Sequence, residues 1–303
     1  MLEIETRDRV RILRLYRPEA RNAVDPALAR ALYDAALAVE AGDAVDVAVL
    51  TGGGGTFCSG FDLKAAASGA GAAWIAGLTP PKDWTDPIGQ PCPGPMGPTR
   101  LMLSKPVIAA IEGHAVAGGM ELALWCDLRV MAEDARLGVF CRRWGVPLID
   151  GGTVRLPRVV GQGRANDLIL TGRPIDADEA QRIGLADRVV APGRALEAAL
   201  ALAKGLCGFP QACLRADFLS ARMPPAELAA ALRREWASAA IVLTEGVAGA
   251  ARFAAGHGRG GVGSTTFRRM AVIGTVPCLR QHPALCRCVT IFCACIRARN
   301  IVA

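Results

Sequence analysis

The feature that most constrains this chain is a pair of glycine-rich bends, each directly following a short apolar run. The first run, Val45 to Thr51, leads into Gly52-Gly53-Gly54-Gly55-Thr56-Phe57-Cys58-Ser59-Gly60-Phe61-Asp62-Leu63. The second, Val107 to Ile111, leads into Gly113-His114-Ala115-Val116-Ala117-Gly118-Gly119 and on to Met120-Glu121-Leu122-Ala123-Leu124. Apolar runs of this length bounded by glycine read as buried strands. Strand, glycine turn and helix in succession are the grammar of an α/β layer, so the predicted fold class is α/β.

The remaining pattern is consistent with that class. Leu2 to Glu5 and Val10 to Leu15 read as a pair of opening strands, followed by a turn at Arg17-Pro18-Glu19. Asp25 before Pro26 is an N-cap with proline at the first helical position, and Leu28, Leu32, Ala36 and Val39 then recur at helical spacing. Residues 68–98 shift to Gly, Ala and Pro and are expected to form one long loop, for which a binding lid and plain disorder fit the composition equally well. Arg194 to Leu206 and Pro225 to Phe253, rich in Ala and Leu, form a helical C-terminal section. The expected division is an α/β core over 1–195, a helical oligomerisation region over 196–260, and an atypical Cys- and Arg-rich tail over 261–303 whose composition allows disorder.

Composition narrows the partners. The net charge is +7, but six of the 35 basic residues are arginines in 262–303, where there is no acid; the remaining 29 face 28 acidic residues. A body this close to neutral argues against a nucleic-acid partner. Five of the eleven cysteines, Cys278, Cys286, Cys288, Cys293 and Cys295, also sit in that tail. The other six are scattered and read as reduced, buried small hydrophobes. The tail's Cys-x-Cys pairs lack usual zinc-site spacing, so no metal is expected. The longest apolar runs fall short of the roughly 18 residues that span a bilayer, and the first residues lack the pattern of a secretory signal. No membrane span is expected, and cytoplasm is the default location.

The two bends carry the chemistry. The first lacks the Lys-Ser/Thr pair of a phosphate loop, which disfavours nucleotide hydrolysis. The second opens a helix whose first N–H groups have no intrahelical partner. With the positive end of the helix dipole they suit developing negative charge, as on a thioester oxygen. Glu121 lies about one helical turn beyond Gly118. Its plainer reading is a carboxylate complementing the helix dipole. Asp150, before Gly151-Gly152-Thr153, is an acid/base candidate or, equally, a helix N-cap. His114, His257 and His282 fall in no catalytic grouping, and no Ser-His-Asp set is visible.

Taken together, these motifs resemble the crotonase, or enoyl-CoA hydratase/isomerase, superfamily over roughly residues 1–260. The resemblance rests on Arg17-Pro18 with Asn22-Ala23, on Phe57 to Leu63, on Lys105 to Gly113, and on Ala117 to Ala123. Asp127, Gly151-Gly152-Thr153 with Arg155-Leu156, Leu170-Thr171-Gly172, Ala180 and Gly184-Leu185-Ala186 extend it. It implies a crotonase-like spiral core of ββα turns and a helical C-terminal region packing into homotrimers or hexamers. It also implies an acyl-CoA thioester ligand and no cofactor beyond the coenzyme A that the substrate carries. The matching oxyanion-hole donors are the Phe61 and Gly118 N–H groups, and Ser59, Gly60, Leu63, Ala117 and Cys141 match substrate-binding positions. Glu121 matches one of the two glutamates with which hydratases of this family add water. The other position holds Cys141, read as a buried inert thiol in preference to an activated one. Asp150 resembles an aspartate of the naphthoate-synthase branch. The expected activity is hydration or isomerisation of an enoyl-CoA. The rivals are C–C bond cleavage, thioester hydrolysis, and a protein that binds acyl-CoA without turnover.

Overall fold

The protein is described here by a computed structural model covering residues 1–257. The expected tail, 261–303, lies outside the described residues. Strands β1 (Leu2–Arg7) and β2 (Val10–Leu15) form an antiparallel hairpin. Helix α1 (Pro26–Ala41) begins on Asp25, whose carboxylate accepts the Leu28 N–H at 2.8 Å. Lys105 closes its other end by donating to the carbonyls of Val39 and Gly42 at 2.8 and 2.6 Å. There follow β3 (Val47–Gly52), α2 (Leu63–Ala67), α3 (Ala70–Ala76), β4 (Val107–Ile111), β5 (His114–Val116) and α4 (Gly118–Trp125). Next come β6 (Leu128–Ala132), β7 (Arg136–Gly138), α5 (Gly152–Val160), α6 (Gln162–Thr171), β8 (Pro174–Ile175), α7 (Ala177–Arg182) and β9 (Arg188–Val190). The remaining helices are α8 (Ala195–Cys207), α9 (Gln211–Ser220), α10 (Pro225–Trp236) and α11 (Val247–Ala254).

The larger sheet runs β1-β2-β3-β4-β6-β9 and is parallel from β2 onward; the smaller runs β5-β7-β8. Successive turns place one strand in the larger sheet and the next in the smaller before a helix returns the chain, as in β4-β5-α4 and β6-β7-α5. This is the expected spiral of ββα turns. A parallel sheet must be covered on both faces, and the residue alternation of β3 does this. Ala48 and Leu50 join the large core with α1, while Val47 and Val49 meet Ala195, Ala199 and Ala203 of α8. Alanine at those three positions lets the helix lie close against the sheet.

Several motif residues prove to be framework. Asn22 is fully buried; it donates to the carbonyls of Gly53 and Thr56 at 2.8 and 2.6 Å and accepts the Arg17 N–H at 2.8 Å, bracing the first glycine bend. Arg17 bonds the Ala23 carbonyl at 2.7 Å and the Asp62 carboxylate at 3.0 Å. Asp127 accepts the Val107 N–H at 2.8 Å and pairs with Arg222 at 3.1 Å.

Residues 68–98 are not the structureless loop expected. Helix α3 occupies part of the segment, Ile75, Leu78, Trp84 and Met96 are buried, and the indoles of Trp74 and Trp84 donate to the carbonyls of Pro95 and Gln90. Isolated large apolar residues pin a Gly/Pro-rich chain without leaving any periodicity to read. Helices α10 and α11 join through a 3-10 turn (Ala237–Ile241) and a π turn (Val242–Gly246). The continuous run, Pro225–Ala254, is long and apolar enough by composition to cross a membrane. Here its apolar side packs on the body, with Leu228, Ala229 and Leu232 against Trp84, Met102 and Val154.

Candidate active site

The two glycine bends are stitched together. Cys58 donates its N–H to the His114 carbonyl at 2.9 Å and accepts that of Val116 at 3.0 Å, so the first bend lies beside β5 as a further strand. The Phe57 N–H bonds the Glu112 carbonyl at 2.8 Å. On the outer side Val24 brackets Phe61: its N–H bonds Gly60 O at 2.8 Å and its carbonyl accepts the Asp62 N–H at 2.9 Å. That pairing turns the Phe61 N–H the other way, and it has no acceptor among the described residues. Gly118, first residue of α4, is in the same position. The Ala117 N–H is held by Gly138 O at 2.8 Å, and the Ala117 carbonyl accepts from Met120 and Glu121, leaving the Gly118 N–H unbonded. Ala117 adopts φ 54°, a conformation a non-glycine residue takes at a cost, as functional sites often require.

How closely the bends approach can be read at Gly60. A methyl group built there would lie 3.0 Å from Gly118 N and 3.0 Å from the Ala117 methyl. Only a glycine, here at φ +98°, admits this contact. Two unpaired main-chain donors from separate elements thus border one cavity, of about 750 Å³, that both residues line. Buried N–H groups are nearly always paired. A ligand oxygen is the acceptor this arrangement lacks.

Of the four carboxyl groups among the described residues that line the same cavity, Glu19, Asp62, Glu121 and Asp150, the last two are the most deeply buried. Glu121, in the first turn of α4, is 3% exposed, and its Oε1 accepts the N–H groups of Asp150 and Gly152 at 2.9 and 3.0 Å. Its Oε2 has no bond to a described residue. Asp150, also 3% exposed, turns its Oδ1 to the Met96 N–H at 2.9 Å and to the Thr99 hydroxyl. It is therefore not the N-cap of α5, a position held by Gly151. Burial raises Glu121 well above the ordinary carboxylate range, and the neighbouring charges of Asp150 and Glu235 push the same way. Burial also lifts Asp150, from 3.8 to about 6, against the hydrogen bonds from Thr99 and Met96.

A carboxyl raised by folding contributes stability that is complete below its unfolded value and lost as the pH passes its folded one. For Asp150 that window runs from 3.8 to about 6. Melting curves of Asp150→Asn should accordingly fall less across that interval than those of the wild type; an equal fall would show that the aspartate is not the group being titrated.

Of the other expected positions, Ser59, Leu63, Ala117 and Cys141 line the cavity, whereas Gly60 lies one peptide behind its wall. The Ser59 hydroxyl bonds the Ala20 carbonyl at 3.2 Å. Burial pushes the Cys141 thiol up to about 12, so it is neutral and inert as a base. Among the described residues no group of three or more His, Cys, Asp or Glu is placed to hold a metal. Sequence reasoning missed Met96 and Thr99, which hold Asp150, and the acyl-sized wall of Ile75, Ile149, Val242, Gly246 and Val247. It also missed Glu235, although a visible signal was present. On α10 the buried Leu228, Ala231 and Leu232 recur at helical spacing, and Glu235 is the next residue of that stripe.

Fold and site together define a class: an α/β protein that offers paired main-chain donors to a ligand oxygen, with buried carboxyl groups alongside. Residues 5–80 and 99–257 match the protein family described as Enoyl-CoA hydratase/isomerase. The chain is 38% identical over 211 residues to the enoyl-CoA hydratase EchA19 of Mycobacterium tuberculosis, which covers 67% of this chain and 73% of that protein. It is 40% identical over 209 residues to a probable enoyl-CoA hydratase of Rhizobium meliloti, covering 69% and 76%. Among solved structures, a carnitinyl-CoA dehydratase from Mycobacterium avium superposes with a TM-score of 0.67 at 30% identity, over 82% of this chain and 94% of that one. The chain belongs to the enoyl-CoA hydratase/isomerase family and is an enzyme of that type.

Proposed function

We propose that the protein adds water to, or shifts the double bond of, a 2-enoyl-CoA thioester, with the thioester oxygen held between the N–H groups of Phe61 and Gly118. The observation that carries this reading is that these two donors, one from each bend, lack an acceptor among the described residues and border one cavity. In hydration, water oxygen bonds to the β carbon and the π electrons move through the thioester to its oxygen, where the two N–H dipoles meet the developing charge. Asp150 takes the proton from the water. The enolate then collapses as its α carbon takes a proton from Glu121. Such a pair needs one ionised and one protonated carboxyl. Glu121 is raised strongly, partly by the Asp150 charge, while Asp150 is held near 6 by its donors, so ionised Asp150 beside protonated Glu121 is the favoured distribution of one charge. In isomerisation ionised Asp150 takes a proton from the γ carbon and Glu121 gives one to the α carbon, so the double bond moves one position along the chain.

Cys141, a neutral thiol where resembled hydratases have a glutamate, gives the second role to Asp150. The enzyme requires no cofactor of its own, works in the cytoplasm and assembles as a trimer or hexamer; exposed Phe209, between α8 and α9, and exposed Ile241 and Leu243, between α10 and α11, are surface such an assembly would cover. Incubation with 2-enoyl-CoA thioesters and mass analysis of the products tests the activity. A gain of one water or a migrated double bond is expected. Cleaved carbon chains or free coenzyme A would replace this reading with C–C lyase or hydrolase chemistry, and binding without turnover would overturn it.

A further inference from the structure

Four consecutive N–H groups at the start of α5 are divided alternately between two carboxylates. Those of Asp150 and Gly152 go to Glu121 at 2.9 and 3.0 Å; those of Gly151 and Thr153 go to Glu235 at 2.6 and 2.8 Å. The Thr153 hydroxyl adds a fifth bond, to Glu235 at 2.7 Å. Helix starts leave their N–H groups unpartnered, and here one carboxylate from each side takes alternate donors. Glu235 is 7% exposed and sits at the end of α10, anchored by Leu228, Ala231 and Leu232. The same helical run continues into Val242, Gly246 and Val247, which line the cavity. We propose that Glu235 is a positioning residue: by gripping Gly151 and Thr153 it presents the Asp150 and Gly152 N–H groups to Glu121, fixing where that carboxyl sits and how firmly it holds its proton. This rests on Glu121 being the proton-transfer group.

The geometry leaves little slack. A methyl group at Gly152 would fall 2.9 Å from the Glu121 Oε1, so the peptide ribbon and carboxyl are already in contact. The ionisable groups around Glu235 are Glu121 from α4, Asp150 before α5, Arg155 from α5, and Arg100 from the turn Pro98–Arg100. Arg155 bonds the Asp150 carbonyl at 3.1 Å, and Arg100 stacks on the Trp236 ring at 4.3 Å. Removing the Glu235 charge takes one like charge from beside Glu121 and leaves both arginines, so Glu121 must give up its proton more readily.

In Glu235→Gln the turnover number should fall about ten- to hundredfold, as expected for a slight misplacement of the reacting group, with KM within about threefold. The pH limb due to Glu121 should move to lower pH, and Glu235→Asp should return that limb towards the wild-type position. Infrared titration of the buried carboxyl band, assigned by its loss in Glu121→Gln, should show the same displacement without any substrate. If Glu235→Gln does not fold, Thr153→Val, which removes one bond to Glu235 and so weakens its hold on charge, carries the same two readouts in smaller measure. Unchanged turnover with the limb and band in place would overturn the proposal. So would a loss of turnover with both unmoved, which marks a purely structural residue. Should Glu121→Gln itself remain active, the assignment of Glu121 fails, and the infrared arm still reports on Glu235 alone.

Discussion

Glu121→Gln is expected to lower turnover of a 2-enoyl-CoA by at least about a hundredfold, the lower bound for removing a positioned proton-transfer group. The substitution is nearly isosteric. The amide oxygen can take the place of Oε1 and accept the N–H groups of Asp150 and Gly152, so the start of α5 keeps its partners. The amide nitrogen then faces the cavity in place of Oε2 and cannot exchange a proton with a carbon. A buried carboxyl raised by its surroundings also disappears, so the melting temperature should not drop. Steady-state kinetics beside thermal melting separates the effects. Retention of more than about a tenth of wild-type turnover would remove Glu121 from the mechanism, because general acid–base catalysis supplies more than that.

Gly60→Ala should have an effect of similar size by a different route. Its methyl group would stand 3.0 Å from Gly118 N and 3.2 Å from the Val116 carbonyl, and the backbone at φ +98° disfavours any side chain. Relief requires the bends to separate, which misaligns the Phe61 and Gly118 donors. Loss of one such donor costs about 3–4 kcal/mol of transition-state stabilisation, or a hundred- to thousandfold in turnover. The strained backbone should lower folding stability by about 1–3 kcal/mol as well. Turnover measured well below the melting point distinguishes the two. A variant that keeps wild-type turnover would show that the approach of the bends is irrelevant to catalysis.

The resemblance held where the sequence carries local necessity. Asp25-Pro26 starts α1 at the expected place, the apolar runs before each bend are β3 and β4, and the two bends border one cavity. What could not be read was partnership across distance. Asp150 looks equally like an N-cap or an acid in sequence; only the approach of Met96 and Thr99 turns its carboxyl away from α5. Residues 68–98 have the composition of a loose loop, and their fixed path follows from single apolar side chains finding places in the core.

Amino-acid order alone determined the spiral α/β class, the two glycine bends, the position of Glu121 one turn into its helix, and the absence of a second glutamate at Cys141. The α/β class, the bends and the place of Glu121 follow from short-range rules of glycine freedom, strand alternation and helical pitch, whereas the spiral and the missing glutamate are what the resemblance to the crotonase superfamily implied. Tertiary structure decided which N–H groups stay unpaired, which carboxyl groups are buried beside the cavity, and that Glu235, 114 positions after Glu121, shares one helix start with it. Those outcomes depend on burial and on donors supplied by distant segments, and a buried charge takes its properties from neighbours that no local pattern names.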